Sequence, residues 1–283
     1  MPINYLKKIQ LGEFNASGYR ISPSKELESI IEGFYVFARD LNDNTQLIFN
    51  DGFPVLVFLQ SCQDTVEVTG QRDIFEIKAA WASTGSIKNV YVKYNNNTDQ
   101  VFIVRFYPGA FYRLFDLNAQ YFRYNPVAPF EHIARNNNFS VEELFERNSI
   151  EEKVAFIGKY VQHSFPETNT PETLHKTLDY IHKIKGRSSV RSVINDVGVN
   201  YKWLERSFVQ HIGLLPKEYI QLQRFIHAYL ELVESKNVDL MQIAISNGYY
   251  DSNHFLKDFK AYTGKTPLEY LKFQSQPDSY QIS

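Results

Sequence analysis

The chain of 283 residues has one cysteine, two methionines and two tryptophans. A lone thiol, Cys62, excludes an intrachain disulfide and a thiolate metal cluster, and such a residue is expected to pack as a small buried hydrophobe. Long apolar runs are also missing. Segments such as Phe53 to Leu59 fall far short of the roughly 20 residues that a membrane-spanning helix needs, and the opening MPINYLKKIQ has no signal-peptide core. These absences lead to the expectation of a cytoplasmic protein without a membrane partner.

Charge of one sign is lacking as well, since the whole chain carries only −2. Residues 1–170 hold 16 basic and 20 acidic side chains and residues 171–283 hold 14 and 12, so the second part is slightly basic. Nucleic-acid binding shows as a local basic face, so this total decides nothing. Histidine is absent before position 132, which removes the imidazoles that a metal centre among the early strands would want and leaves no Ser/His/Asp or Cys/His catalytic set there. The sequence Gly264-Lys265-Thr266 resembles the end of a phosphate loop, but Phe259 occupies the place of the required earlier glycine.

What is present divides at the middle. From Tyr19 to Phe106 the chain reads as strands over 31–39, 53–60, 74–81, 87–94 and 101–106, rich in Val, Ile, Phe and Tyr and separated by turns such as Asn50-Asp51-Gly52 and Asn95 to Thr98. The spacing predicts a small barrel or jelly roll. Segments 109–117, 140–147 and 149–164 have helical spacing, with Ser140 and Glu143 as a capping box. Aromatic residues including Phe34, Tyr35, Phe37, Phe53, Phe58, Phe75, Trp81, Phe102 and Phe106 form either a core or the lining of a ligand cavity. Arg39, Arg72 and Arg105 are either solvated or available to an anionic effector. The helix at 149–164, with His163, packs on its own barrel or forms a dimer seam.

Residues 166–171, polar with two prolines, read as a linker between a domain at 1–165 and an all-helical domain at 172–283. The fold class is therefore α+β and multidomain, with a barrel- or jelly-roll-like domain bearing appended helices, then an all-α domain. Glycines 186, 198, 213, 248 and 264 punctuate the second domain, and Pro216 opens a long helix to about Ser235.

Sliding the C-terminal part along itself by 51 residues places Phe208, Gly213, Pro216, Glu218 and Tyr219 on Phe259, Gly264, Pro267, Glu269 and Tyr270. Each copy reads as helix, turn, helix, then Gly-x-x-Pro and a further helix. These are two homeodomain-like helix-turn-helix units, at about 188–213 and 239–264, joined by the helix at 216–235. The second helix of such a unit enters the major groove of DNA. Leu204, Phe208 and Ile212, or Phe255, Phe259 and Tyr262, form the buried stripes. The opposite faces offer Asn200, Tyr201, Lys202, Glu205 and Arg206 in copy one and Ser252, Asn253, His254 and Lys257 in copy two, side chains that donate to or accept from base edges and phosphates. Trp203 reads as a stacking group or as partly buried packing. Ser188 and Arg191, near a helix N-terminus, are candidate phosphate contacts.

The run from Gly248 through Asp251, Phe255, Phe259, Gly264 and Pro267 to Tyr270 resembles the signature of the AraC/XylS family of transcriptional regulators, and Leu204 to Tyr219 with Arg224 resembles the matching first half. The resemblance covers about 172–274. It implies that Lys202, Glu205 and Arg206 in the first recognition helix, and Ser252, Asn253, His254 and Lys257 in the second, are the DNA-contact positions; Glu205 departs from the usual neutral or basic residue. Asn50 to Phe58 and Phe106 to Phe115 resemble uncharacterised barrel-like sensor domains attached to some such regulators. The resulting expectation is a non-enzymatic, sequence-specific DNA-binding regulator without cofactor or metal. Its partners are double-stranded DNA, with a small-molecule effector, RNA polymerase and a second copy of the chain as further candidates. The rival is an enzyme in the N-terminal barrel carrying an accessory DNA-binding module.

Overall fold

The computed structural model describes residues 1–14, 17–39, 45–70, 73–95, 98–134, 138–166 and 171–275. The chain opens with α1 (Ile3–Leu11) and runs through β1 (Gly18–Ile21), β2 (Ile31–Ala38), β3 (Thr45–Leu47), β4 (Val55–Phe58), β5 (Thr65–Thr69), β6 (Ile74–Lys78), β7 (Ala80–Ser83), β8 (Tyr91–Tyr94) and β9 (Gln100–Phe106). Then come α2 (Ala110–Leu114), α3 (Tyr121–Tyr124), β10 (Val127–Pro129), α4 (Phe130–Ala134), α5 (Val141–Phe145) and α6 (Ile150–Ser164). The helical part comprises α7 (Glu172–Lys183), α8 (Val190–Val197), α9 (Tyr201–His211), α10 (Pro216–Glu234), α11 (Leu240–Ser246), α12 (Ser252–Thr263) and α13 (Pro267–Ser275).

The strands form two sheets, ordered β1-β2-β9-β4-β7-β10 and β3-β8-β5-β6, with antiparallel pairing throughout. The expected jelly-roll-like domain is thus a pair of facing sheets, each a separate hydrogen-bonded ladder, and not a closed barrel. In the inner strands of the six-stranded sheet, β2, β9, β4 and β7, both faces are buried. Tyr35, Phe37, Val55, Val57, Trp81 and Ile103 point into the space shared with the smaller sheet. Phe34, Val36, Leu56, Phe58, Phe102 and Val104 point the other way, into a second core closed by α2, α4, α5 and α6. Burial on both faces is why these strands read as unbroken apolar runs, whereas β5, with one face in water, alternates buried Val66 and Val68 with half-exposed Thr65, Glu67 and Thr69.

Several expectations are corrected here. The strand expected at 74–81 is two strands, because Ala79 takes φ +65° and turns the chain between the sheets. Cys62 is only partly buried, on the turn before β5. Arg39 and Arg105 are buried and not solvated, because each finds partners far along the chain. The Arg39 Nε donates to the Thr98 carbonyl at 2.7 Å, and the Arg105 Nη2 lies 2.8 Å from the Asp51 carboxylate. Arg72, residues 96–97 of the Asn95–Thr98 turn and residues 167–170 of the linker lie outside the described residues. Helix α6 buries Ile157 and Val161 against its own domain, and most of the aromatic set is core, with Phe34, Phe37 and Trp81 fully enclosed.

The helical part is docked onto the sheets. The Phe49 ring lies 5.3 Å from Phe225 and 5.5 Å from Tyr262. The Asn89 amide donates to the Tyr262 carbonyl at 2.8 Å, the Tyr91 hydroxyl to Thr263 at 2.6 Å, and the Gln223 side chain to the Asp51 carbonyl. Gly52, at φ +97°, lets Tyr219 approach so closely that a Cβ would sit 2.4 Å from its ring, so an alanine there forces the two halves apart.

The seam also holds His182, stacked on Phe53 at 5.3 Å and paired with the Tyr219 hydroxyl at 2.6 Å. Burial holds His182 below its ordinary value. Burial, reinforced by Lys185 and Arg187, brings His227 down to about 4. In acid the unfolded chain therefore takes up protons that the folded chain refuses. The stability these neutral imidazoles contribute is complete above the ordinary histidine value of about 6.5 and is lost as pH falls toward 4. The urea midpoint is expected to drop between about pH 7.5 and about pH 5, and to drop less in His227→Gln; equal drops in the two proteins would contradict this assignment.

Candidate nucleic-acid interface

Each helix of the two helix-turn-helix pairs, α8 with α9 and α11 with α12, begins on a residue whose side chain caps it. The Ser189 hydroxyl accepts the Ser192 amide, the Asn200 side-chain Oδ1 accepts the Trp203 amide at 2.8 Å, and the Asp239 carboxylate accepts the amides of Met241 and Gln242. The Asp251 carboxylate accepts the His254 amide at 2.9 Å. Such caps satisfy amides that the first turn leaves without partners, and they fix where α9 and α12 begin. The Asn200 side chain is thereby engaged as a cap through its Oδ1.

The structure shows what the five repeated identities do. Phe208 and Phe259 are fully buried. Gly213 and Gly264 end α9 and α12 at φ +76° and +75°. Pro216 and Pro267 start the following helices. The carboxylates of Glu218 and Glu269 each turn back to accept the backbone amide three residues earlier, at Leu215 and Thr266, both at 2.8 Å. Tyr219 and Tyr270 are buried with their hydroxyls paired to His182 and Tyr229. Every identity serves the scaffold, and the copies differ at the outward positions.

At the same offset the repeat extends further back than identities reveal. Leu174, Leu178 and Ile181 of α7 correspond to Phe225, Tyr229 and Leu232 in the second half of α10, and all six are buried. The long helix therefore has two roles. Its first half follows copy one as α13 follows copy two, and its second half opens copy two as α7 opens copy one.

The expected apolar stripes are in place, with Leu204, Phe208, Ile212, Phe255, Phe259 and Tyr262 all buried. Outward on α9 are Tyr201, 53% exposed, with exposed Lys202 and Arg206 and half-exposed Glu205. Outward on α12 are Asn253, His254 and Lys257, with Ser252 half-exposed. His254 is tied to its cap, its Nδ1 standing 2.8 Å from Asp251. Trp203 is partly buried against the core. Arg191 is exposed, while Ser188 is half-buried and its carbonyl accepts from Arg224 at 3.3 Å.

Two polar ties that spacing does not reveal hold copy two to α10. Asp258, its carboxyl raised by burial, accepts from Gln221 at 2.7 Å. Glu231 accepts from Ser246 at 3.0 Å and Asn247 at 2.7 Å. Among the described residues no group of three or more His, Cys, Asp or Glu side chains converges to hold a metal, and no helix is long and apolar enough to cross a membrane.

Residues 194–272 match a family model described as a helix-turn-helix domain, and residues 19–127 match a domain of unknown function, DUF6597. The chain is 26% identical over 121 residues to the HTH-type transcriptional activator RhaR of Escherichia coli strain K12, covering 42% of this chain and 43% of that protein. It thus spans less than half the length of the RhaR relatives it matches. Among solved structures, ToxT from Vibrio cholerae O395 is 17% identical with a TM-score of 0.45, covering 92% of this chain and 97% of ToxT. A transcriptional regulator of the AraC-type DNA-binding class from Chromobacterium violaceum is 24% identical with a TM-score of 0.34, covering 37% of this chain and 94% of that one. With its duplicated, capped helix pairs and its match over 194–272, the C-terminal part of this chain is a helix-turn-helix domain.

Proposed function

We propose that the chain is a sequence-specific DNA-binding transcriptional regulator in which α9 and α12 enter successive major grooves. The observation that carries this is the duplicated three-helix unit whose two second helices both turn polar and cationic side chains outward. The contacts are Tyr201, Lys202, Glu205 and Arg206 from α9 and Ser252, Asn253, His254 and Lys257 from α12, with Ser188 and Arg191 toward phosphates. Helix α10, about 28 Å long at 1.5 Å per residue, separates the two copies by nearly one turn of duplex. Residues 1–165 act as the sensing or dimerising domain, 166–171 as linker and 172–283 as the reading domain. A small molecule bound to the first domain acts by shifting populations, and RNA polymerase and a second copy of the chain complete the partner set.

Arg206→Ala and Lys257→Ala are each expected to weaken binding to DNA fragments selected by the chain by about 1–3 kcal/mol, roughly fivefold to 150-fold, with the thermal midpoint unchanged. Gel-shift or anisotropy titrations check this. Full-strength binding in both variants would overturn the proposal.

A further inference from the structure

A cleft of about 580 Å³ lies between residues 109–120 of the sheet domain and the C-terminal half of α9. Its floor is Tyr112, buried, with its hydroxyl 2.8 Å from that of Thr84 and donating to the Ile212 carbonyl at 3.1 Å. Arg113 and Arg206 line it from opposite domains, with His211, Asn118 and Gln210, and Asp116 is the carboxylate among the lining residues.

These groups are held in place. The Arg113 Nη2 donates to the Pro166 carbonyl at 3.0 Å, and its guanidinium lies over Phe165 at 4.5 Å. Asp116 takes φ +47° and Gly109 φ +87°, so the wall has left-handed backbone at two of its residues. On the far side Gly213 packs so tightly that a Cβ would stand 2.5 Å from the Ala119 carbonyl. Of Gly109 and Asp116, only Asp116 carries a side chain at positive φ, a conformation of the kind found at ligand clamps. Burial and the Arg113 charge hold His211 below its ordinary value, which marks the cleft as positive and partly withdrawn from water.

Arg113, which keeps its contacts to Pro166 and Phe165, and Arg206 both line this cleft, and two arginines on one volume suit a carboxylate through charge-assisted N–H donation. The volume is that of a small-metabolite site. Asp116 gives the same cleft a place for an ammonium and opposes a doubly charged phosphate. We propose that the cleft binds a small amino acid, its carboxylate bridging Arg113 and Arg206 and its ammonium facing Asp116. Because Arg206 is also a proposed DNA contact, ligand and DNA compete for it, and each lowers affinity for the other by the same factor. The competition rests on the proposal that α9 reads DNA; the binding of ligand does not.

The test is calorimetry of the full chain with L-glutamate, L-glutamine, succinate, acetate and inorganic phosphate. At least one amino acid is expected to bind saturably, about tenfold or more tightly than succinate, acetate or phosphate. Arg113→Gln and Arg206→Gln should each weaken it about tenfold, Arg206→Gln with an unchanged thermal midpoint and Arg113→Gln with the fold retained by circular dichroism, and Asp116→Asn should abolish the preference over succinate. Saturating amino acid should raise the Kd for selected DNA. No saturable binding of any amino acid, binding indifferent to both arginine variants, or phosphate binding as tightly as the amino acids would overturn the site. Saturable binding that leaves the DNA affinity unchanged would overturn the competition. A chain that binds no DNA but still takes the amino acid would sink the regulatory reading while supporting the cleft.

Discussion

Arg105→Ala is expected to cost about 3–5 kcal/mol of folding stability, read as a fall in the urea midpoint at constant slope. Arg105 is 3% exposed, and its charge is opposed by burial but held above its ordinary value because Asp51 and Glu32 outweigh that penalty. The guanidinium is 2.8 Å from Asp51 and 3.3 Å from Glu32, and lies over Phe53 at 4.2 Å. Removing it strands the Asp51 carboxylate, itself 1% exposed, with Gln10 as its remaining side-chain donor at 2.6 Å. Most of the cost is that orphaned charge and not a lost attraction. Removing both charges in Arg105→Met/Asp51→Asn should therefore recover part of the loss. A loss under about 1 kcal/mol in the single variant would show that water reaches and screens the pair.

Phe225→Ala is expected to cost about as much, roughly 3–5 kcal/mol, for a different reason. The ring is fully buried. It stacks on Tyr262 at 4.3 Å and touches Phe259 at 5.8 Å and Tyr229 at 6.2 Å within copy two, and reaches Phe49 of the sheet domain at 5.3 Å. Truncation leaves a cavity where the second reading unit, the long helix and the sheet domain meet. Calorimetry should show a lowered midpoint and a broadened transition as the domains uncouple, because a shared core keeps their unfolding concerted. Tyr250→Ala, at a side chain 87% exposed, should change stability by no more than about 0.5 kcal/mol. A Phe225 variant that behaved like the Tyr250 variant would mean that the interdomain packing contributes little.

The sequence made the reading domain legible because its signals are local. Gly198 and Gly213, the stripe Leu204-Phe208-Ile212 and the cap Asn200 all lie within one helix turn or two of what they specify. Duplication then repeated those signals at one offset. The correspondence of α7 with the second half of α10 was hidden because Leu174 and Phe225, or Leu178 and Tyr229, share burial and not identity. In the sheet domain the harder features are non-local. Nothing near Arg105 announces Asp51 or Glu32, and β3, β5 and β10 are short strands fixed by the partners they pair with. The left-handed Ala79 that splits the expected strand carries no glycine to mark it. The 580 Å³ cleft joins side chains about ninety positions apart, and no spacing rule brings Arg113 to Arg206.

Because α10 belongs to both copies, its covalent length is a ruler with an angular scale. One residue inserted near its middle lengthens the axis by only about 1.5 Å but turns everything beyond by about 100°. The second recognition helix would then face a different side of the duplex. In the proposed reading, half-site spacing along DNA and rotational phase around it are set by a single helix, so neither can drift without the other. A lineage of such chains can change which bases it reads one side chain at a time, but it cannot change the distance between its half-sites in small steps.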